Sequence, residues 1–450
     1  MMLLLTARWL LPVTAPPIAQ GAVVIDRDRI VEVGTMEELR GRFPAASLRD
    51  FGEAALLPGL INVHSHLELA IYRGRLEIAS FPAWIAELVR LKRERLTDED
   101  MLASTRLGCV EAIRHGLTTL ADTTETPVVR EALVESGLRG IIYQECFGPQ
   151  AKQATASIAI LEAKLDEHAQ RLEEQNVGAR VRIGISPHAP YSVSGELYQR
   201  ATQLALDRGL DLAMHVAESP EESEFLRTGT GAFAEALARR GLTWTAPGRS
   251  TIQYLEDLGV LAARPLLIHC VTADTEDLDL LARRGARIAH CPKSNAKLGH
   301  GLAPFIAAQR NGITIGLGTD SVGSNNTCDL IEEARFGALM QRAAHRDASL
   351  CPAEEMLRLM TIDSARALRL DHLIGSLEAG KQADLIAIDL NSPQLLSSGD
   401  PSTAIVFSAS GRDVVFTMVA GQTLYESGRV VVVDETEIMK SARAAAAKLL

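Results

Sequence analysis

A chain of 450 residues is long enough for a large buried core plus an accessory domain, and its 47% hydrophobic content suits a globular α/β protein. A net charge of −11 with no basic cluster excludes nucleic acid as a partner, and no apolar run reaches the 18 or so residues of a membrane span. Six cysteines without C-x-x-C spacing oppose a zinc knuckle or a disulfide framework and suit a reducing cytoplasm.

In chain order, the start (Met1 to Leu5) lacks a basic region before its apolar stretch, and Arg8 interrupts that stretch, so it reads as strand and not as an export signal. Gly21 to Gly34 has the turn-flanked alternation of a β-hairpin. An apolar run over Ala54–Leu57 and Leu60–Val63 then reads as a strand ending in His64-Ser65-His66. Residues i and i+2 of a strand share a face, so the two histidines can reach one metal ion together. Phe81 to Ile85, with Trp84, opens a helical stretch whose Arg90–Arg95 segment reads as a solvated face.

Further apolar runs end in polar side chains. Val181–Pro187 leads to His188, and Leu210–Met214 leads to His215 with Glu218 three residues on. Pro265–Ile268 leads to His269 and Cys270, and Ile313–Thr319 leads to Asp320 and Ser321. Polar groups at the C-terminal ends of successive strands are the arrangement of a parallel barrel's active face. Past Gly375 the chain becomes β-rich again (Gly380–Asp389, Val414–Gly421, Arg429–Val433), and Glu437 to Leu450, rich in Ala and Lys, reads as a terminal helix.

The segments Pro58-Gly59-Leu60-Ile61-Asn62-Val63-His64-Ser65-His66, His215-Val216-Ala217-Glu218, Ile268-His269-Cys270, His290 to Gly299 and Gly318-Thr319-Asp320-Ser321 carry a resemblance. The chain resembles the amidohydrolase superfamily, in the aminohydrolase and chlorohydrolase branch that includes adenosine-type, S-adenosylhomocysteine, methylthioadenosine and aminofutalosine deaminases. The resemblance implies an α/β fold. A (β/α)₈ TIM-type barrel over about 58–374 is expected, with a small β-sandwich built from residues 1–57 and 375–450, the latter including the terminal helix.

His64, His66, His215 and Asp320 are the expected metal ligands, three neutral imidazoles and a carboxylate that suit Zn²⁺ first and Fe²⁺ as the alternative. Such a metal lowers the pKa of bound water and makes hydroxide available at neutral pH. The strand before His188 ends without a lysine or glutamate to bridge two metals, so one ion is expected. By resemblance, Glu218 protonates the ring nitrogen beside the attacked carbon, Asp320 moves the proton of the water, and His269 orients that water. His188, Trp84 and Glu68 are the expected substrate contacts, Ser294 and Asn295 build the floor of the site, Ser321 hydrogen-bonds Asp320, and His290 is structural.

The expected activity is hydrolytic deamination of an amino-substituted heterocycle, a small molecule of purine nucleoside type. The alternatives are hydrolytic dechlorination, cyclic-amide hydrolysis, or a non-catalytic metal-binding barrel; the presence of Glu218, His269 and Asp320 together speaks against the last. The ribose-binding glutamate of S-adenosylhomocysteine deaminases aligns with Arg93, next to Glu94, and the arginine used for a substrate carboxylate is replaced by Gln144-Glu145. These departures lean toward an aminofutalosine- or adenosine-type substrate. Homodimers are common in such enzymes, and the expected compartment is the cytoplasm.

Overall fold

The computed structural model describes residues 2–78, 80–396 and 399–450. Its centre is a barrel of eight parallel strands: β1 (Leu60–Ser65), β2 (Leu117–Thr124), β3 (Arg139–Cys146), β4 (Val181–Pro187), β5 (Asp211–Val216), β6 (Leu266–His269), β7 (Arg287–His290) and β8 (Thr314–Leu317). They pair in sequence order. The circle closes where Ser65 bridges Asp320 and the Asp320 amide donates to the His64 carbonyl at 3.0 Å. β1, β2 and β3 are buried throughout, as expected of strands with both faces covered.

The barrel interior is packed by Ile61, Val63, Ala121, Ile141, Tyr143, Ala213, Leu266, Ile268 and Ala289, and it is closed below by Ile362, Leu368, Leu370 and Ile374. This leaves the mouth, at the strands' C-terminal ends, as the place where polar groups can gather. Gly318 permits the closure there, because a Cβ at this position would lie 3.0 Å from the His64 Cβ.

Both chain termini contribute to a second, nine-stranded sheet, in which Ala54–Pro58 pairs antiparallel with Leu385–Asp389 and parallel with Met2–Leu10. The expected hairpin is present as Ile18–Asp26 and Arg29–Thr35. The apolar run before His64 is therefore two strands, one in each sheet. The corner falls at Gly59, where a Cβ would stand 2.1 Å from the Thr118 hydroxyl oxygen. A buried ion pair locks the two sheets together: Arg139, first residue of β3, donates to Asp384 at 2.8 and 3.1 Å, and Asp384 also accepts the Ala420 amide at 2.7 Å.

The terminal helix Glu435–Ala447 leaves the second sheet and packs on the barrel. Its Ala442 and Ala445 join an apolar cluster with Leu69, Tyr72, Trp84 and Phe225, and Lys448 pairs with Asp100 at 2.7 Å. Among the described residues no helix is long and apolar enough to cross a membrane.

Candidate active site

Strict alternation along β1 puts Ile61 and Val63 in the barrel interior, which would turn His64 away from it. The register between β1 and β2 shifts between Asn62 and Ser65, and the strand end is re-aimed. His64 and His66 then both face the mouth, with Nε2 atoms 3.3 and 3.5 Å from Asp320 Oδ1. Ring centroids of His64 and His215 lie 4.9 Å apart. Single ligand atoms of His64, His66 and Asp320, and of His64, His215 and His269, fall within 4.8 Å of one another.

The backbone is strained where these strands end. Ala217, His269, Cys270 and Asp320 have φ of 49°, 75°, 49° and 57°, in the left-handed region that non-glycine residues avoid. Each such residue costs on the order of 1–3 kcal/mol, and strain of this kind gathers at functional sites.

The donor set fits a divalent metal. Both ring nitrogens of His64 and Nε2 of His269 are buried without a hydrogen-bond partner, an arrangement too costly to leave unsatisfied. Burial pushes the His64 pKa down to about 4, so its imidazole is neutral and ligand-competent. Burial alone would raise Asp320, yet the imidazoles of His64, His269 and His66 hold it well below the usual range. Ser294 and Ser324 donate to Asp320 Oδ2 at 2.6 and 2.8 Å, and the Ser321 amide donates to Oδ1 at 2.7 Å. Ser321 thus bonds Asp320 as expected, through its amide, while its hydroxyl meets Ser324 at 3.0 Å.

Asn295 Oδ1 accepts from His269 Nδ1 at 2.9 Å, which places the proton on Nδ1 and leaves Nε2 as an acceptor. That nitrogen lies 3.5 Å from Glu218 Oε1. The same oxygen is 3.5 Å from Nε2 of His300, a residue the motifs had not singled out. Its signal in the sequence was a lone histidine between two glycines, Gly299-His300-Gly301. Burial works to raise the Glu218 pKa, but His269 and His300 outweigh it and keep the carboxyl low.

Glu222, four residues past Glu218, is fully buried. Its carboxylate accepts the Ala217 amide at 2.7 Å, the Glu218 amide at 3.2 Å and the Thr251 hydroxyl at 2.7 Å. It holds the strained turn that aims Glu218, and burial pushes its pKa up to about 7. Glu222→Gln presents an N–H to the Glu218 amide and loses that bond. A buried hydrogen bond lost in this way is worth about 1–3 kcal/mol. The expected result in steady-state kinetics is a kcat reduced about tenfold with KM moved less; equal losses in both would show that the turn does not aim Glu218.

The expected substrate contacts divide. His188 stands beside His215, ring centroids 5.0 Å apart, and bonds Ser192 at 2.7 Å. Trp84 is buried in the apolar cluster over the mouth, stacked on Phe81, with its indole N–H unpartnered. Both Glu68 oxygens are bonded within the protein: Lys92 donates to one at 2.5 Å, and Thr124 and Thr126 donate to the other at 2.8 Å each. Glu68 anchors the helix Phe81–Arg95 through Lys92, which also pairs with Glu125 at 2.8 Å. Arg93 and Glu94, the residues aligned with a ribose-binding position, are exposed on that helix. His290 stacks on Phe305 at 4.9 Å, a packing role.

The chain matches the Amidohydrolase family over residues 55–424 and an imidazolonepropionase-like composite domain over residues 21–46. It is 32% identical over 434 residues to a 5-methylthioadenosine/S-adenosylhomocysteine deaminase of Moorella thermoacetica, covering 95% of each chain. A 5'-deoxyadenosine deaminase of Methanothermobacter thermautotrophicus is 31% identical over 437 residues, 96% of this chain and 95% of that one. Among solved structures, a zinc-bound adenosine deaminase from Xanthomonas campestris superposes with TM-score 0.87 at 25% identity, covering 99% of this chain and 98% of the other. A zinc complex of atrazine chlorohydrolase from Arthrobacter aurescens shares the fold, with TM-score 0.84 at 23% identity over 99% of this chain and 100% of that one. With the match spanning most of the chain and the strand-end histidines gathered at one mouth, the chain belongs to the amidohydrolase family, as a hydrolase of carbon–nitrogen bonds other than peptide bonds.

Proposed function

We propose that the protein is a zinc-dependent deaminase that releases ammonia from an adenosine-type nucleoside. The observation that carries this reading is Glu218, buried and 3.5 Å from both His269 and His300, at the same mouth as Asp320. A single Zn²⁺ held by His64, His66, His215 and Asp320 would polarise the attacking water and lower its pKa.

The chain's own groups supply the rest. Attack at the carbon bearing the amino group puts electron density on the adjacent ring nitrogen; Glu218, ionised at rest, takes up a proton from solvent, gives it to this nitrogen and regains one from the adduct's hydroxyl as the product carbonyl forms. Asp320, fixed by Ser294, Ser324 and the Ser321 amide, accepts the proton of the water and passes one to the departing ammonia. His269, oriented by Asn295, takes a hydrogen bond from the water at Nε2. Ring protonation is what an amine leaving group needs most, which favours deamination over loss of chloride or opening of a cyclic amide. The names of the two sequence relatives point to adenosine-type substrates with a modified 5' position. All six cysteines are buried free thiols, in keeping with a reducing cytoplasm.

The test is ammonia release with one equivalent of zinc, across adenosine, 5'-deoxyadenosine, methylthioadenosine, S-adenosylhomocysteine, aminodeoxyfutalosine and melamine. Turnover of at least one adenosine-type compound is expected, abolished by dipicolinate and restored by one equivalent of zinc. Silence across the panel with metal bound would rule out deamination of this class.

A further inference from the structure

Glu222 fixes the backbone of the turn that carries Glu218, and the carboxylate at the end of that side chain needs support of its own. Asn295 holds the His269 proton on Nδ1, so the Nε2 that stands 3.5 Å from Glu218 Oε1 carries a lone pair and no N–H. His300 Nε2 stands at the same distance from the same oxygen, buried and without another hydrogen-bond partner. Glu218 is ionised at rest and can only accept, so the His300 ring faces it with Nε2–H. A separation of 3.5 Å is long for such a bond, and bonds of this kind tighten when substrate fills the site.

The residue that orients His269 also places His300. Asn295 lies on the short helix Pro292–Lys297, and its side chain accepts from His269 Nδ1 at 2.9 Å. Its carbonyl accepts the His300 amide, also at 2.9 Å, while the Gly299 amide donates to the Ala296 carbonyl at 3.1 Å. These two bonds, with Gly299 at φ 74°, are a Schellman cap, which turns the chain back at the helix end. Gly301 follows at φ 109°, a value closed to residues with a side chain. The His300 ring is packed edge-to-face with Phe81, centroids 4.5 Å apart, and Phe81 opens the helix that Lys92 pins to Glu68 and Glu125. With the His300 side chain only 2% exposed, water cannot take its place beside Glu218.

We propose that His300 is the positioning residue of Glu218: its Nε2–H holds the carboxylate toward the ring nitrogen, and it acts on the reaction only through Glu218. This rests on the deaminase reading above, in which Glu218 is the acid. Asn295 is then the common anchor of two imidazoles, one that orients the water and one that orients the acid.

The experiment measures kcat and KM for ammonia release from adenosine and methylthioadenosine by five zinc-loaded proteins. These are the wild type, Glu218→Gln, His300→Met, His300→Gln and the double variant Glu218→Gln/His300→Met, each checked for zinc content and by circular dichroism. Met fills the space of the ring without a donor, whereas Gln carries an amide N–H close to where Nε2 stands. A hydrogen bond to a charged, buried carboxylate is worth about tenfold to a hundredfold in rate. His300→Met is expected to lose kcat by that factor with KM moved much less, and His300→Gln to recover most of the loss. The double variant is expected to fall less than about twofold below Glu218→Gln, because residues that act through one another are not additive. Should His300→Met fail to fold, His300→Asn stands in, its amide too short to reach Glu218. A kcat loss under about threefold, an equal loss in His300→Gln, a loss that persists at full size beside Glu218→Gln, or zinc lost from both His300 variants would overturn the inference. A wild type inactive on both compounds, or a Glu218→Gln as fast as wild type, would instead bring down the deaminase reading, and the inference with it.

Discussion

Glu218→Gln is expected to lower kcat for ammonia release by about 10²–10⁴-fold, the range associated with a positioned general acid. The amide keeps the size of the side chain and still fits between His269 and His300, but it has no acidic proton to give to the ring nitrogen. Zinc content is expected to stay at one equivalent and KM to change little. Those two readouts separate lost proton transfer from lost assembly of the site. A kcat within about threefold of wild type would remove Glu218 from the chemistry, because proton transfer of this kind is worth far more.

The second large effect concerns stability. Asp384→Ala is expected to destabilise the protein by about 3–5 kcal/mol, since it strands the guanidinium of Arg139 in the interior between the barrel and the terminal sheet. Both side chains are 2% exposed, so water cannot replace the lost partner. Removing Asp384 also leaves the Ala420 amide without its acceptor. The double variant Arg139→Met/Asp384→Leu removes both charges and is expected to recover much of the loss, because desolvating the pair offsets its attraction in the native protein. Urea unfolding of the two variants decides the matter. A single variant costing under about 1 kcal/mol would mean that this pair behaves as an exposed one, whose median worth is no larger.

Much of the site was legible because a parallel barrel turns a one-dimensional pattern into a three-dimensional one. Apolar runs that end in His64 and His66, His215, His269 and Asp320 form strands buried on both faces, and the strand ends lie at one mouth. Glu218 follows from the same logic, three residues past β5. Local periodicity was a poorer guide at β1, where His64 faces the mouth through a register shift with β2 that no alternation rule contains.

The residues that escaped the sequence are those whose meaning depends on a partner far along the chain. Glu68 looked available beside His66 until Lys92, 24 residues on, and Thr126, 58 residues away, were seen to occupy its oxygens. Glu222 sits in an acidic run with Glu221 and Glu224, and only the fold shows that it bonds Thr251 and the backbone of the Glu218 turn. His300 gained its place only from the loop that brings it to Glu218. The sequence by itself determined the barrel and its family, because strand-end motifs and chain order are local properties. Tertiary structure alone decided which carboxyls are consumed by the protein and which stay open for a substrate. Whether a buried charge is satisfied depends on through-space partners and on solvent exclusion, and neither is written in the spacing of residues.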